Sequence, residues 1–152
     1  MAAKVLVLNG PNLNMLGSRE PDVYGPQTLA DIEALCHARG EALGLGVDFR
    51  QSNTEGELVG WIQGADDDDA AGLILNAGAY THTSIAILDA LRAAPLAIIE
   101  VHLSNIFQRE EYRRHSYVSE AANGVICGFG GHGYVLALEA LAQILEKKGG
   151  GN

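Results

Sequence analysis

Lysine is nearly missing from this chain. It occurs only as Lys4, Lys147 and Lys148 in 152 residues. Lys4 precedes the first strand-like run, and the other two close the last helix-like run, so none falls where a strand delivers its carboxyl end. This argues against Schiff-base catalysis. Positive charge in general is short: 10 basic against 19 acidic residues give a formal net charge of -9. A nucleic-acid surface needs a concentrated positive field, so that class is set aside. A small anionic substrate is not, because one or two arginines and some backbone N–H groups could hold it. Cysteine is limited to Cys36 and Cys127, far apart and each in an apolar setting. Neither metal spacing nor a disulfide framework is present, which points to a reducing compartment. No apolar run reaches the length of a membrane span. The N-terminus enters a strand without a long apolar stretch before it, so no signal peptide is expected. The expectation is a soluble cytoplasmic protein. The phosphate-cradling loops GxGxxG and GxxxxGKS/T are absent after the first strand, and Gly128-Phe129-Gly130 is too weak a signal to replace them. There is no GxSxG elbow.

What is present is a full apolar core: 47% of the residues are hydrophobic, enough at this length for one domain over residues 1–148, with 149–152 as a disordered tail. Strand-like runs, Val5–Leu8, Val47–Arg50, Leu73–Leu75, Leu96–Val101 and Val125–Cys127, alternate with helix-like ones, Thr28–Leu43, Glu55–Ile62, Ser84–Ala93 and Tyr134–Lys148. Gln108–His115 could add a short helix. The alternation predicts an α/β fold, a five-stranded parallel sheet with helices on both faces in a flavodoxin-like three-layer sandwich. Such sheets bind ligands outside the carboxyl ends of their strands.

The residues after each strand therefore form a map of the site. After the first come Asn9, Asn12 and Asn14, then Arg19 and Tyr24 in a loop punctuated by glycine and proline. After the second come Ser52, Asn53 and Glu55; after the third, Asn76, Tyr80, Thr81 and His82. Glu100, His102 and Ser104 end the fourth. His132 follows the fifth, among glycines. A single asparagine reads best as turn chemistry, but three within Asn9–Asn14 favour function. His102 could be a satisfied core histidine. Glu100 two residues earlier shares its face of an extended segment, and a carboxylate there fixes the imidazole tautomer and raises its basicity, which favours catalysis. His82 reads equally as a residue of a helix cap, and the Arg19–Tyr24 loop equally as a mobile lid or an ordinary exposed loop. His37 and His115 read as surface residues. Asp66–Asp69 has no ligand spacing and reads as a solvated surface segment; Cys127 reads as core. A phospho-receiver would want acids where Asn9 and Asn76 stand. A flavin- or nucleotide-binding module lacks its phosphate loop, and a hydrolase using His102 and a serine lacks a placed nucleophile.

Four blocks resemble the type II 3-dehydroquinate dehydratases in order and spacing over nearly the whole chain. They are LNGPNLNMLGSREPDVYG, then Asn76-Ala-Gly-Ala-Tyr-Thr-His-Thr-Ser, then Glu100-Val-His-Leu-Ser-Asn-Ile-Phe-Gln-Arg-Glu with Arg113 after it, and Val125-Ile-Cys-Gly-Phe-Gly with Gly133-Tyr134. The resemblance implies a lyase that reversibly dehydrates 3-dehydroquinate to 3-dehydroshikimate by anti elimination through an enolate, without metal or cofactor. It implies Tyr24 as the base. Lowering a phenol from about 10 to neutrality takes roughly 4 kcal/mol, and Arg19 in the same loop is a credible source of that field. It implies Asn12 as holder of an enolate-stabilising water and His102 as the acid for the leaving hydroxyl, with Glu100 orienting it. Asn76, Ser104 and the N–H of Leu103 would bind the substrate carboxylate, and His82 and Arg113 the ring hydroxyls. Asp89 matches a position contributed by a neighbouring subunit, in a homo-oligomer that is typically a dodecamer built as a tetramer of trimers.

Overall fold

The computed structural model describes residues 2–18, 22 and 26–149. Five strands, β1 (Ala3–Asn9), β2 (Leu45–Gln51), β3 (Ala70–Asn76), β4 (Ala97–His102) and β5 (Gly124–Cys127), alternate with α1 (Leu29–Leu43), α2 (Glu55–Gly64), α3 (Ile85–Ala93) and α4 (His132–Gly149). All strand pairs are parallel, in the order β2-β1-β3-β4-β5. This is the expected flavodoxin-like arrangement. Strand order reverses between β1 and β3, where the rule for open sheets places a ligand.

Alternation along the strands divides the core between two faces. Val5, Val7, Ile74, Ile99 and Val101 pack against Ile32 and Cys36 of α1 and Leu138 and Leu141 of α4. Leu6, Leu8, Leu73, Leu75 and Ile98 pack against Leu58 and Ile62 of α2 and Ile87 and Leu91 of α3. Each such side chain, fully buried, contributes about 1.5–3 kcal/mol. Burial pushes the Cys36 thiol up to about 12, with the charge of Glu33 adding to it, so this cysteine behaves as core.

Local signals end the elements where the sequence suggests. The Thr28 hydroxyl accepts from Asp31 N at 3.1 Å while Asp31 Oδ2 accepts from Thr28 N at 3.0 Å, a reciprocal capping box. Gly44 closes α1 at φ 74, a conformation glycine adopts without steric cost. The Ser84 hydroxyl caps α3, accepting from Ile87 N at 2.9 Å.

Three expectations change. Residues 108–115 do not form one helix but lie across two 3-10 turns, Ile106–Gln108 and Glu111–Arg113. The Asn105 side chain accepts from Phe107 N at 3.1 Å, which gives the backbone a local alternative to a helix. His82 does not open a helix; it ends the 3-10 turn Gly78–His82, and Ser84 caps the helix that follows. The last helix begins at His132 and takes in Gly149, leaving 150–152 outside the described residues. Among the described residues no helix is long and apolar enough to cross a membrane.

Candidate active site

Two loops converge beyond β1 and β3. Asn9 and Asn76 are register partners at the strand ends. Gly10 N donates to Asn76 O at 2.8 Å, and a Cβ at Gly10 would stand 2.4 Å from the carbonyl oxygen of Ala77. Only glycine permits that approach. The chain then turns through Asn12 at φ 69, a left-handed conformation that asparagine tolerates better than most residues. Asn12 N donates to Asn53 Oδ1 at 3.0 Å, and Tyr80 Oη donates to Asn53 O at 2.8 Å, so the loops after β1, β2 and β3 are tied together.

The cleft they surround measures about 600 Å³ counted to its open mouth. Asn12, Asn76, His82, His102, Leu103 and Ser104 line it, together with Arg109 and Arg113. These are most of the residues that the sequence assigns to chemistry or binding. Asp89 is exposed on α3 and is not among the lining residues. Tyr24 and Arg19 lie outside the described residues.

Glu100 and His102 follow the i, i+2 geometry of β4. Glu100 is fully buried, and its Oε2 accepts from His102 Nε2. The same oxygen accepts from Ser116 Oγ at 2.7 Å, and Oε1 accepts from Ser119 Oγ. Burial alone would push the Glu100 carboxyl up. The hydrogen bond and charge of His102, with the two serine hydroxyls, outweigh it and hold the group below the ordinary glutamate range. An ionised carboxylate only accepts, so His102 Nε2 carries a proton and Nδ1 is left to exchange one with a bound molecule.

The His82 ring lies 6.4 Å from that of His102, centroid to centroid, at 18°. Its Nδ1 donates to the carbonyl of His115 at 2.8 Å. Burial lowers its pKa; the His115 carbonyl opposes this, the nearby His102 and Arg113 reinforce it, and Glu100 opposes it. A neutral His82 with its proton on Nδ1 presents Nε2 as an acceptor, suited to a ligand hydroxyl. Arg113 is set by Glu110, whose Oε2 accepts from its Nε at 2.5 Å, and its guanidinium lies 5.3 Å from the centre of the Tyr112 ring.

Arg109, Ser116, Ser119 and Tyr134 complete this constellation without a role in the sequence reading. Arg109 stood in a quoted motif, and cationic side chains beyond β4 in so acidic a chain were a usable signal. Ser116 and Ser119 lie 16 and 19 residues from Glu100. Tyr134 lies 58 residues from Asn76. Tyr134, like Arg109, stood in a quoted motif without a role; nothing local marks the two serines.

A parallel flavodoxin-like sheet with a buried carboxylate–imidazole pair opening into a polar cleft at its carboxyl edge defines an α/β enzyme equipped for acid–base chemistry. The family model for dehydroquinase class II matches residues 3–142. A 3-dehydroquinate dehydratase of Rhizobium johnstonii is 58% identical over 144 residues, 95% of this chain and 99% of that protein. One of Thermus thermophilus is 56% identical over 147 residues, 97% of this chain and 99% of that one. The crystal structure of type II dehydroquinase from Propionibacterium acnes superposes with a TM-score of 0.89 at 48% identity, covering 94% of this chain and 98% of that one. This chain therefore belongs to the class II dehydroquinase family, and it is a hydro-lyase.

Proposed function

We propose that this cleft converts 3-dehydroquinate reversibly to 3-dehydroshikimate by anti elimination through an enolate, without a Schiff base or a metal. This is a reaction of the shikimate pathway, which leads to the aromatic amino acids, and of quinate breakdown. The observation that carries the reading is the buried Glu100–His102 pair in one cleft with Asn76, Leu103 and Ser104. The lysines add to it: Lys4 is in β1, away from its carboxyl end, and Lys147 and Lys148 are in the last turn of α4.

The ketone acidifies the adjacent C–H. Tyr24, its phenol lowered by Arg19, takes that proton, and the electron pair moves into the enolate oxygen. A water held by Asn12 stabilises the charge. The pair then returns to re-form the carbonyl as the C–O bond breaks, and His102 gives its proton to the departing hydroxyl, which leaves as water. Glu100, accepting from Nε2, holds the ring in pose and balances its positive charge, so that the proton His102 gives up is the one on Nδ1. Asn76, Ser104 and the N–H of Leu103 hold the substrate carboxylate; His82 and Arg113 hold the ring hydroxyls. Asp89, exposed on α3, reaches a neighbouring subunit's site in a cytoplasmic dodecamer, a tetramer of trimers.

The test uses substrate carrying deuterium in turn in place of each of the two hydrogens of the methylene beside the ketone, followed by NMR. Product formed with loss of the label opposite the departing hydroxyl supports the reading. Loss of the label on the same side contradicts anti elimination, and no product at all contradicts the function.

A further inference from the structure

We propose that Tyr134 is a positioning residue that sets which end of the Asn76 carboxamide faces the cleft, through a one-way chain of hydrogen bonds from β2 to β3 that is buried at its centre. This rests on the reading that Asn76 binds a substrate carboxylate.

The chain has fixed polarity at both ends because each end is a backbone group. The carbonyl of Arg50 can only accept, and Asn9 Nδ2 donates to it at 2.9 Å. Asn9 Oδ1 is thereby turned the other way and accepts from Tyr134 Oη at 2.6 Å. A phenol has one proton, so toward its other neighbour Tyr134 can only accept. Asn76 Nδ2 supplies that bond at 3.0 Å. At the far end Gly78 N, which can only donate, points to Asn76 Oδ1 at 3.2 Å.

Asn76 is 3% exposed. With its oxygen turned to Gly78 and one N–H given to Tyr134, the group left for a ligand is the second N–H. A donor is the right polarity for a carboxylate; a flipped amide would offer lone pairs to an anion. Tyr134 is completely buried, so bulk water does not replace its hydroxyl. Burial pushes its phenol upward, the Asn76 bond opposes this and Cys36 adds to it, and the group stays protonated. The three side chains come from β1, β3 and α4, so the fold itself holds the chain in register.

The test is Tyr134→Phe in the assembled enzyme, with two ring ligands that cannot eliminate: quinate and its carboxamide, quinamide. The parent is expected to prefer quinate. In the variant, quinate is expected to weaken about 10-fold, as for one charge-assisted hydrogen bond. Quinamide should weaken less than about twofold, because its own amide can turn to match either pose of an Asn76 carboxamide that Gly78 N alone now orients. KM for 3-dehydroquinate should rise with quinate, and by a larger factor than kcat falls. Asn9→Leu is the second variant: without its acceptor the Tyr134 proton turns to Asn76, and the same selective loss is expected. Equal weakening of both ligands, or no change in a folded variant, overturns the inference. A parent that does not prefer quinate to quinamide overturns the carboxylate reading beneath it, and so distinguishes the two failures.

Discussion

Among single residues, one ionised carboxylate governs both stability and chemistry. Glu100 is held below its ordinary range by His102, Ser119 and Ser116 against the opposing effect of burial. A group with a lowered folded-state pKa contributes stability above its unfolded value, and that contribution is lost as pH falls through the folded value. Acid unfolding is therefore expected to steepen below about pH 4.5, and Glu100→Gln to flatten that limb, as read by urea midpoints across pH. The same substitution should lower kcat by about 10²-fold or more, because a neutral amide no longer fixes the His102 tautomer. His82 acts in the same direction at higher pH: its lowered pKa means the unfolded state takes up the proton first, so its contribution turns unfavourable as pH falls below about 6.5. The pairing of Glu100 with His102 was legible because side chains two apart on a strand share a face. Their serine partners were not, because a hydrogen bond across a fold leaves no mark on local spacing.

At the scale of elements, the site depends on two loops pressed together. Gly10→Ala would drive its Cβ into the backbone of Ala77, which has no flexible end to move aside. A loss of about 1–3 kcal/mol is expected in equilibrium unfolding, together with a fall in kcat, since Asn12 is two residues on. Ser84→Ala removes the cap of α3 and should cost about 1 kcal/mol. Strands and helices were readable because periodicity, Thr28, Gly44 and Ser84 all point the same way. The 108–115 segment was not, because a helical charge pattern there competes with the Asn105 side chain and loses. Which glycine is indispensable was not readable either; that depends on how closely a sequence-distant loop approaches.

At the scale of the whole molecule, Asp89 is exposed on α3 and does not line its own cleft, and the proposed reach into a neighbouring subunit's site can be tested by mixing subunits. Mixing Asp89→Ala and His102→Ala subunits, each inactive alone, should restore roughly a quarter of the parent activity after joint refolding, because random assembly gives that share of sites one intact contribution of each kind. No recovery in mixed oligomers of native mass would place Asp89 outside the site. The sheet order was legible from alternating strands and helices, and the switch between β1 and β3 then located the cleft. Subunit contacts are not written in the periodicity of one chain.

The proposed elimination of water from 3-dehydroquinate, with His102 as the acid, can be followed as it happens. The direct measurement is the rise in ultraviolet absorbance as chelator-treated protein forms the conjugated enone product, run beside His102→Ala and Tyr24→Phe. Sustained turnover by the parent is expected, with both variants reduced by about 10²–10⁴-fold. An assembled parent that gives no rise would overturn the proposed reaction, and a His102→Ala variant that keeps the parent kcat would remove His102 as its acid.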